Sequence, residues 1–280
     1  MKTLLIPIDY SPCAQNAVHY GIEIAKMINA KIHLCHAIPI PEFTPEPGMV
    51  AWPLKDYKTT KDEAYENLRS YIKELKEGID FNLEITFSTE LTPIKQLVSE
   101  LISKLKPDLM LLGMSGMGNV ERFFLGSTSR DLIENTSVPV LLLPKHSKYI
   151  PLKKIAFATD LSKSDINSIH ALARLFSVYS PEILLTHVSG HSEDMRNPNS
   201  LSNVFLSEVT SKINYSKIYF RHIIEEHVDE GLVWLTAHAQ INMLCMIHRQ
   251  KHNLFSDLLK GSHTKKIAKM IEIPLLVMPE

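Results

Sequence analysis

The sequence predicts an α/β protein made of two tandem copies of one domain, each a mostly parallel five-stranded sheet with helices on both faces. Three observations carry this. Short continuous apolar runs alternate with amphipathic helical periods, the alternation runs through twice, and the second pass repeats residues of the first. A length of 280 residues is ordinary for two such domains.

Leu4–Ile8 is a continuous apolar run, as expected of a strand buried on both faces. Ser11-Pro12 then reads as a helix N-cap with proline at the first helical position. Ala14, Ala17, Val18, Ile22, Ala25 and Ile28 form one face of that helix. A second strand follows from Ile32. Pro39 to Lys58 carries Pro39, Pro41, Pro45, Pro47 and Pro53, and prolines lack the amide a sheet ladder needs, so this stretch reads as a loop or lid. Leu109–Leu112 and Val138–Leu143 are further buried strands, separated by a helix starting near Ser127. The segment from Pro144 to Pro151 is polar and bracketed by prolines, and it places the domains at residues 1–146 and 151–280. In the second copy, Ser162-Lys-Ser-Asp165 resembles a capping box, with Ile166, Ile169, Ala173 and Phe176 on one helix face.

The repeat itself is explicit. The strand end at Asp9 recurs at Asp160, 151 residues on, and His36 recurs as His187 at the same offset. Gly126-Ser127 matches Gly261-Ser262, and Val138–Pro144 matches Ile273–Pro279, both 135 residues on. The second copy is therefore 16 residues shorter (151 less 135), and the proline-rich stretch is the expected surplus of the first.

Composition bounds function. Hydrophobic residues at 45% and charged residues at 22% describe a globular chain, and a net charge of -1 argues against nucleic acid or anionic membrane as the main partner. No apolar stretch approaches the roughly 20 residues of a membrane helix. The N-terminus is too short in apolar length for a signal peptide. Cys13, Cys35 and Cys245 are odd in number and make no C-x-x-C pair, the pattern of reduced intracellular thiols, so the chain reads as cytoplasmic.

The chemistry concentrates in Gly113-Met-Ser-Gly116, continuing to Gly126-Ser127-Thr128. Glycines let a backbone turn with positive φ and approach a ligand, and a helix beginning at Ser127 would offer free amides to phosphate. Asp9 ends the first strand, so in a parallel sheet it lies on the same carboxyl edge. The plain alternative is a strand-to-helix turn with no ligand.

The spacing G-x2-G-x9-G-S together with Asp9 resembles the universal stress protein family in its tandem two-domain form, over essentially the whole chain. The resemblance implies a Rossmann-like (adenine nucleotide alpha hydrolase-like) fold in each copy. It also implies an ATP site in the first copy, with Asp9 beside the nucleoside and the backbone at Ala37 pairing with the adenine edge. Gly113 and Gly116 would lie against ribose and phosphates, while Gly126, Ser127 and Thr128 would meet the β- and γ-phosphates. Mg²⁺ would accompany the phosphates, although no dedicated carboxylate cage is evident. At the offset of 135, Gly113 becomes His248 and Gly116 becomes Lys251, so no ATP is expected in the second copy. Asp160 and Ser262 then read as remnants, a strand-end turn and a helix cap.

Other constellations weigh less. His187/His191 and His248/His252 have metal-ligand spacing only on a helix, and both pairs fall in or beside expected loops. His36 and His187 read as packed, hydrogen-bonded strand-end residues. No G-x-S-x-G elbow is present, and the Glu-rich runs read as solvated surface. Phe123 and Phe124 read as loop packing, and Trp52 as either a cap on the site or an anchor for a partner. The family pairs domains through their last strands, so Val138–Leu143 is expected to meet Ile273–Val277 within the chain, and a further homodimer is compatible with that. The leading functional reading is an ATP-binding stress-response module acting on an unknown protein partner. The alternatives are a weak ATPase and a nucleotide-free scaffold.

Overall fold

The computed structural model describes residues 1–38, 54–114, 127–145, 147–191, 196–249 and 273–280. In the first half the elements are β1 (Lys2–Pro7), α1 (Pro12–Ile28), β2 (Ala30–Ile38), α2 (Leu54–Glu77), β3 (Ile85–Leu91), α3 (Ile94–Leu105), β4 (Leu109–Gly113), α4 (Ser127–Glu134) and β5 (Val140–Leu143). The second half repeats the plan with β6 (Lys154–Ala158), α5 (Asp165–Leu175), β7 (Glu182–Ser189), α6 (Leu201–Lys212), β8 (Ile218–Ile224), α7 (Val228–His238), β9 (Met243–His248) and β10 (Leu275–Pro279).

The strands form one ten-stranded sheet in the order β3-β2-β1-β4-β5-β10-β9-β6-β7-β8. Neighbours within each half are parallel. The halves meet at β5 and β10, which pair antiparallel with Leu276 opposite Leu141. Both strands are apolar, and pairing them covers two edges that would otherwise invite aggregation. One buried core runs along each face of the sheet: Leu4 and Ile6 point to one and Leu5 to the other, as strand alternation requires.

The local signals act as read for α1. The Ser11 side chain accepts a hydrogen bond from the Ala14 amide at 3.2 Å, Pro12 opens the helix, and Asn29 closes it at φ 51° with its amide on the Ala25 carbonyl. The capping box expected at Ser162 does not form. Helix α5 begins at Asp165, Ser164 caps it without a side-chain bond, and Asp165 turns inward instead. Of the proline-rich surplus, residues 54–58 belong to α2, and the rest lies outside the described residues.

The ladders also refine the repeat. Ile32 pairs with Ile85 in the first half and Ile183 with Ile218 in the second, so β3 and β8 correspond at an offset of 133. Leu4 pairs with Leu109 and Ile155 with Met243, so β4 and β9 correspond at 134. The last strands correspond at 135: the Met110 amide bonds the Pro139 carbonyl, and the Leu244 amide bonds that of Pro274. The shortening is thus 18 residues between the second and third strands (151 less 133), followed by two single-residue additions.

The segment between the halves is pinned. Asn16 Nδ2 donates to the carbonyls of Pro144 and Ser147 at 3.1 and 3.2 Å, and the Tyr149 and Tyr179 hydroxyls bond at 3.1 Å. Lys2 Nζ from the first half donates to the Leu175 carbonyl at 2.7 Å, where a cation suits the C-terminus of α5.

His33 on β2 gives the fold a pH dependence. It is buried between the Thr86 and Ser88 hydroxyls, at 2.8 and 3.0 Å, and burial with Lys104 and Lys31 nearby lowers its pKa to about 4. The unfolded chain binds this proton near pH 6.5, so the neutral-histidine contribution is complete above that pH and is lost as pH falls toward 4. His33→Gln should remove that dependence: the difference in unfolding free energy between wild type and variant is expected to fall by up to about 3 kcal/mol between pH 7 and pH 4. Denaturant titrations at both pH values test this, and a pH-independent difference rejects it.

Candidate functional site

From β1 the chain crosses to β2 and β3 on one side, while β4 and β5 lie on the other. The carboxyl ends of β1 and β4 therefore flank a topological switch point, where an open α/β sheet leaves a crevice. A cleft of about 570 Å³ opens there, within the rough range of 300–1,000 Å³ usual for small-molecule sites. Asp9, Ala37, Gly113 and Thr128 all line it. Gly116 and Gly126 lie outside the described residues; Ser127 is described only as the first residue of α4.

Each described residue reaches the cleft for a local reason. Tyr10 takes a left-handed conformation at φ 61°, and the Ser11 amide bonds Asp9 Oδ1 at 3.0 Å, so the turn holds the exposed carboxylate at the lip. Strand β2 outruns β1: the Ile8 amide bonds the Cys35 carbonyl at 2.8 Å, whereas Ile32 bonds toward β3 at 3.0 Å. By alternation the amide and carbonyl of Ala37 face the β1 side, past the last paired residue of β1. Thr128 stands in the first turn of α4, where helix amides lack intrahelical partners.

Gly113 meets a packing demand as well as lining the cleft, and its φ lies outside the left-handed range. A Cβ there would fall far inside contact with the Cys13 carbonyl and 3.0 Å from the Ala14 amide. The missing side chain lets β4 lie against the first turn of α1; the close approach is to the protein's own backbone. Nor is every amide of the loop available, since that of Met114 bonds the Leu143 carbonyl at 2.8 Å.

Several lining residues escaped the sequence reading: Thr92, Pro93 and Ile94 at the start of α3, Ser129 on α4, and Cys13 on α1. Each sits at a helix start that follows a strand on the same edge, which is the signal that would have found them. His36 also lines the cleft, with Nδ1 2.7 Å from the Ile8 carbonyl. A carbonyl only accepts, so Nδ1 carries the hydrogen. Burial raises the Cys13 thiol pKa, with Lys145 lowering it and Asp9 raising it. A second cleft, about 520 Å³ between α1, the end of α2 and residues 147–149, is remote from these strand ends.

The second half keeps the scaffold and fills the space. The Ser162 amide bonds Asp160 Oδ1 at 3.0 Å, Leu161 takes φ 64°, and His187 Nδ1 lies 3.0 Å from the Thr159 carbonyl. At the structural offset of 134, however, Gly113 corresponds to Ile247, Met114 to His248 and the residue after it to Arg249. The equivalences of Gly113 with His248 and Gly116 with Lys251 are corrected accordingly, and Lys251 lies outside the described residues. Arg249 closes the site. Its guanidinium pairs with Asp160 and with the buried Asp165, and its Nε lies 3.9 Å from Glu280. Asp165 accepts a further bond from the Thr159 hydroxyl at 2.5 Å; burial raises its pKa to about 6 despite both partners. Asp160 is thus a turn residue, as expected, and also an arginine partner.

No metal grouping emerges. Among the described residues no three His, Cys, Asp or Glu side chains gather in ligand geometry, and His252 lies outside them. Among those residues no helix is long and apolar enough to cross a membrane.

Comparison with known proteins agrees with this architecture. The sequence model of the universal stress protein family matches residues 1–144. A universal stress protein of Methanocaldococcus jannaschii is 30% identical over 148 residues, covering 52% of this chain and 84% of that protein. One from Mycolicibacterium smegmatis is 22% identical over 295 residues, covering 98% and 96%. The crystal structure of a universal stress protein from Archaeoglobus fulgidus superposes with a TM-score of 0.69 at 14% identity, covering 99% of this chain and 98% of that one, which bears on fold alone.

Proposed function

The chain belongs to the universal stress protein family, and from that premise we propose that its first half, residues 1–146, binds ATP as the ligand that sets its affinity for a protein partner. The observation that carries this reading is the convergence of Asp9, Ala37, Gly113 and Thr128 on one open cleft at the switch point. In this reading Asp9 accepts from ribose hydroxyls, and the backbone of Ala37 meets the adenine edge. The start of α4, with Gly116 and Gly126 before it, receives the phosphates. Mg²⁺ fits as an ion held by phosphates and water, because Asp9 is the one carboxylate lining the cleft among the described residues.

A binding role suits this cleft better than hydrolysis. Asp9, the one carboxylate lining the cleft among the described residues, is already engaged by the Ser11 amide in its own turn rather than poised as a general base. Output then comes from ligand linkage: at a hundredfold excess over Kd, nucleotide stabilises the conformation that holds it by about 2.7 kcal/mol. The second half, residues 151–280, acts as scaffold. All three cysteines are free and buried, which fits a reducing compartment, and we place the protein in the cytoplasm.

The test is calorimetric titration with ATP. One site per chain is expected, because Arg249 fills the second site, and Gly116→Val should abolish it by putting a side chain in the phosphate path. Two sites per chain, full binding by Gly116→Val, or no binding by the wild type overturns the proposal.

A further inference from the structure

We propose that Lys145 makes the first-half site selective for the polyphosphate end of its ligand, favouring di- and triphosphates over monophosphates and nucleosides. This rests on the nucleotide reading above and adds a residue to it.

The argument begins with placement. Lys145 follows Pro144 directly beyond β5, and β5 is the parallel neighbour of β4, with Leu143 opposite Gly113. Asn16 on α1 grips the Pro144 carbonyl at 3.1 Å, and the Met114 amide grips that of Leu143 at 2.8 Å. Residue 145 is therefore held between the start of α1 and the point where the chain leaves β4 for its glycine-rich segment. Its charge is felt inside the cleft, since it favours the thiolate of Cys13, a lining residue. Among the described residues Lys145 has no ion-pair partner, although it is exposed and free to reorient.

The second half supplies the contrast. At the offset of 135 set by β5 and β10, Lys145 corresponds to Glu280, which faces Arg249 at 3.9 Å. Ala14 corresponds to Asp165 at the offset of 151. The copy that holds its own guanidinium has acidic residues at both positions; the copy with the open cleft has a small residue and an ammonium without an ion-pair partner among the described residues. The two sites have opposite electrostatic character on one backbone plan, and an ammonium beyond the end of β5 suits the phosphates remote from the nucleoside.

Calorimetry with adenosine, AMP, ADP and ATP on wild type, Lys145→Met and Lys145→Glu tests this. The side chain is exposed, so all three proteins should unfold alike without ligand. Expected is a loss of ATP and ADP affinity of about tenfold in Lys145→Met and more in Lys145→Glu, with AMP and adenosine unchanged. Lys145→Met should also show a shallower salt dependence for ATP. Equal losses across all four ligands, or none for ATP, overturn the role of Lys145 while leaving the site intact. A wild type that binds none of the four overturns the site itself.

Discussion

Arg249→Met is expected to lower the unfolding free energy by about 3–5 kcal/mol near pH 8, the penalty typical of removing one member of a buried ion pair. Asp165 is 1% exposed, and Arg249 bridges it to Asp160 across the closed second site. Without the guanidinium the buried carboxylate keeps, among the described residues, a single side-chain hydroxyl partner, Thr159. The pH dependence follows in sign. Burial already lifts Asp165 to about 6, and loss of the cation lifts it further, so the folded variant takes up a proton that the unfolded chain binds only near pH 4. The deficit is therefore largest above the folded pKa and shrinks as pH falls toward 5. Adding Asp165→Ala, the first half's own residue at this position, should recover much of the loss at pH 8. Denaturant unfolding of the single and double variants at pH 5 and pH 8 decides the matter. A loss of under 1 kcal/mol, or one that ignores both pH and the second substitution, would show that Arg249 is not a structural cation.

Fold and site were legible in the sequence to different depths, for physical reasons. Strands buried on both faces must be apolar throughout, so the runs Leu4–Ile8 and Val138–Leu143 declared themselves, and their near-copies in the second half declared the repeat. Parallel pairing then forces strand ends onto one edge, which is why Asp9, Gly113 and Thr128 could be grouped although they are far apart in sequence, whereas Ala37 came from the family resemblance alone. Register is another matter. Two single-residue additions between β8 and β10 leave no mark in composition or hydrophobic period, so one offset of 135 placed His248 where the ladder places Ile247. Asp165 misled because an acidic residue three positions after a serine is a common capping pattern, whereas its real partner, Arg249, is 84 residues away in sequence. Long-range ion pairs have no periodicity to betray them.

Gly113 separates the two kinds of reading most sharply, because ligand approach and backbone packing each demand glycine there and predict different failures. If the glycine served only a ligand, Gly113→Ala would leave the free protein as stable as wild type and weaken nucleotide binding. The structure predicts the reverse order of events. The new Cβ would lie on the Cys13 carbonyl and 3.0 Å from the Ala14 amide, and neither is a flexible side chain that can swing aside. Relief requires β4 to part from the first turn of α1, against β1 and β5 on either side of β4. That displacement is expected to cost about 3 kcal/mol, the upper end of the overpacking range, in protein free of any ligand. Ile247 shows how the second copy meets the same demand. There the helix begins at Asp165, two residues later than the first copy's numbering would start it at Lys163, so the regular helix begins further along the chain in the copy with the larger residue. Thermal or denaturant unfolding of nucleotide-free Gly113→Ala is the deciding measurement. Wild-type stability with weakened ATP binding would return this glycine to the ligand; a large loss without ligand assigns it to the contact between β4 and α1.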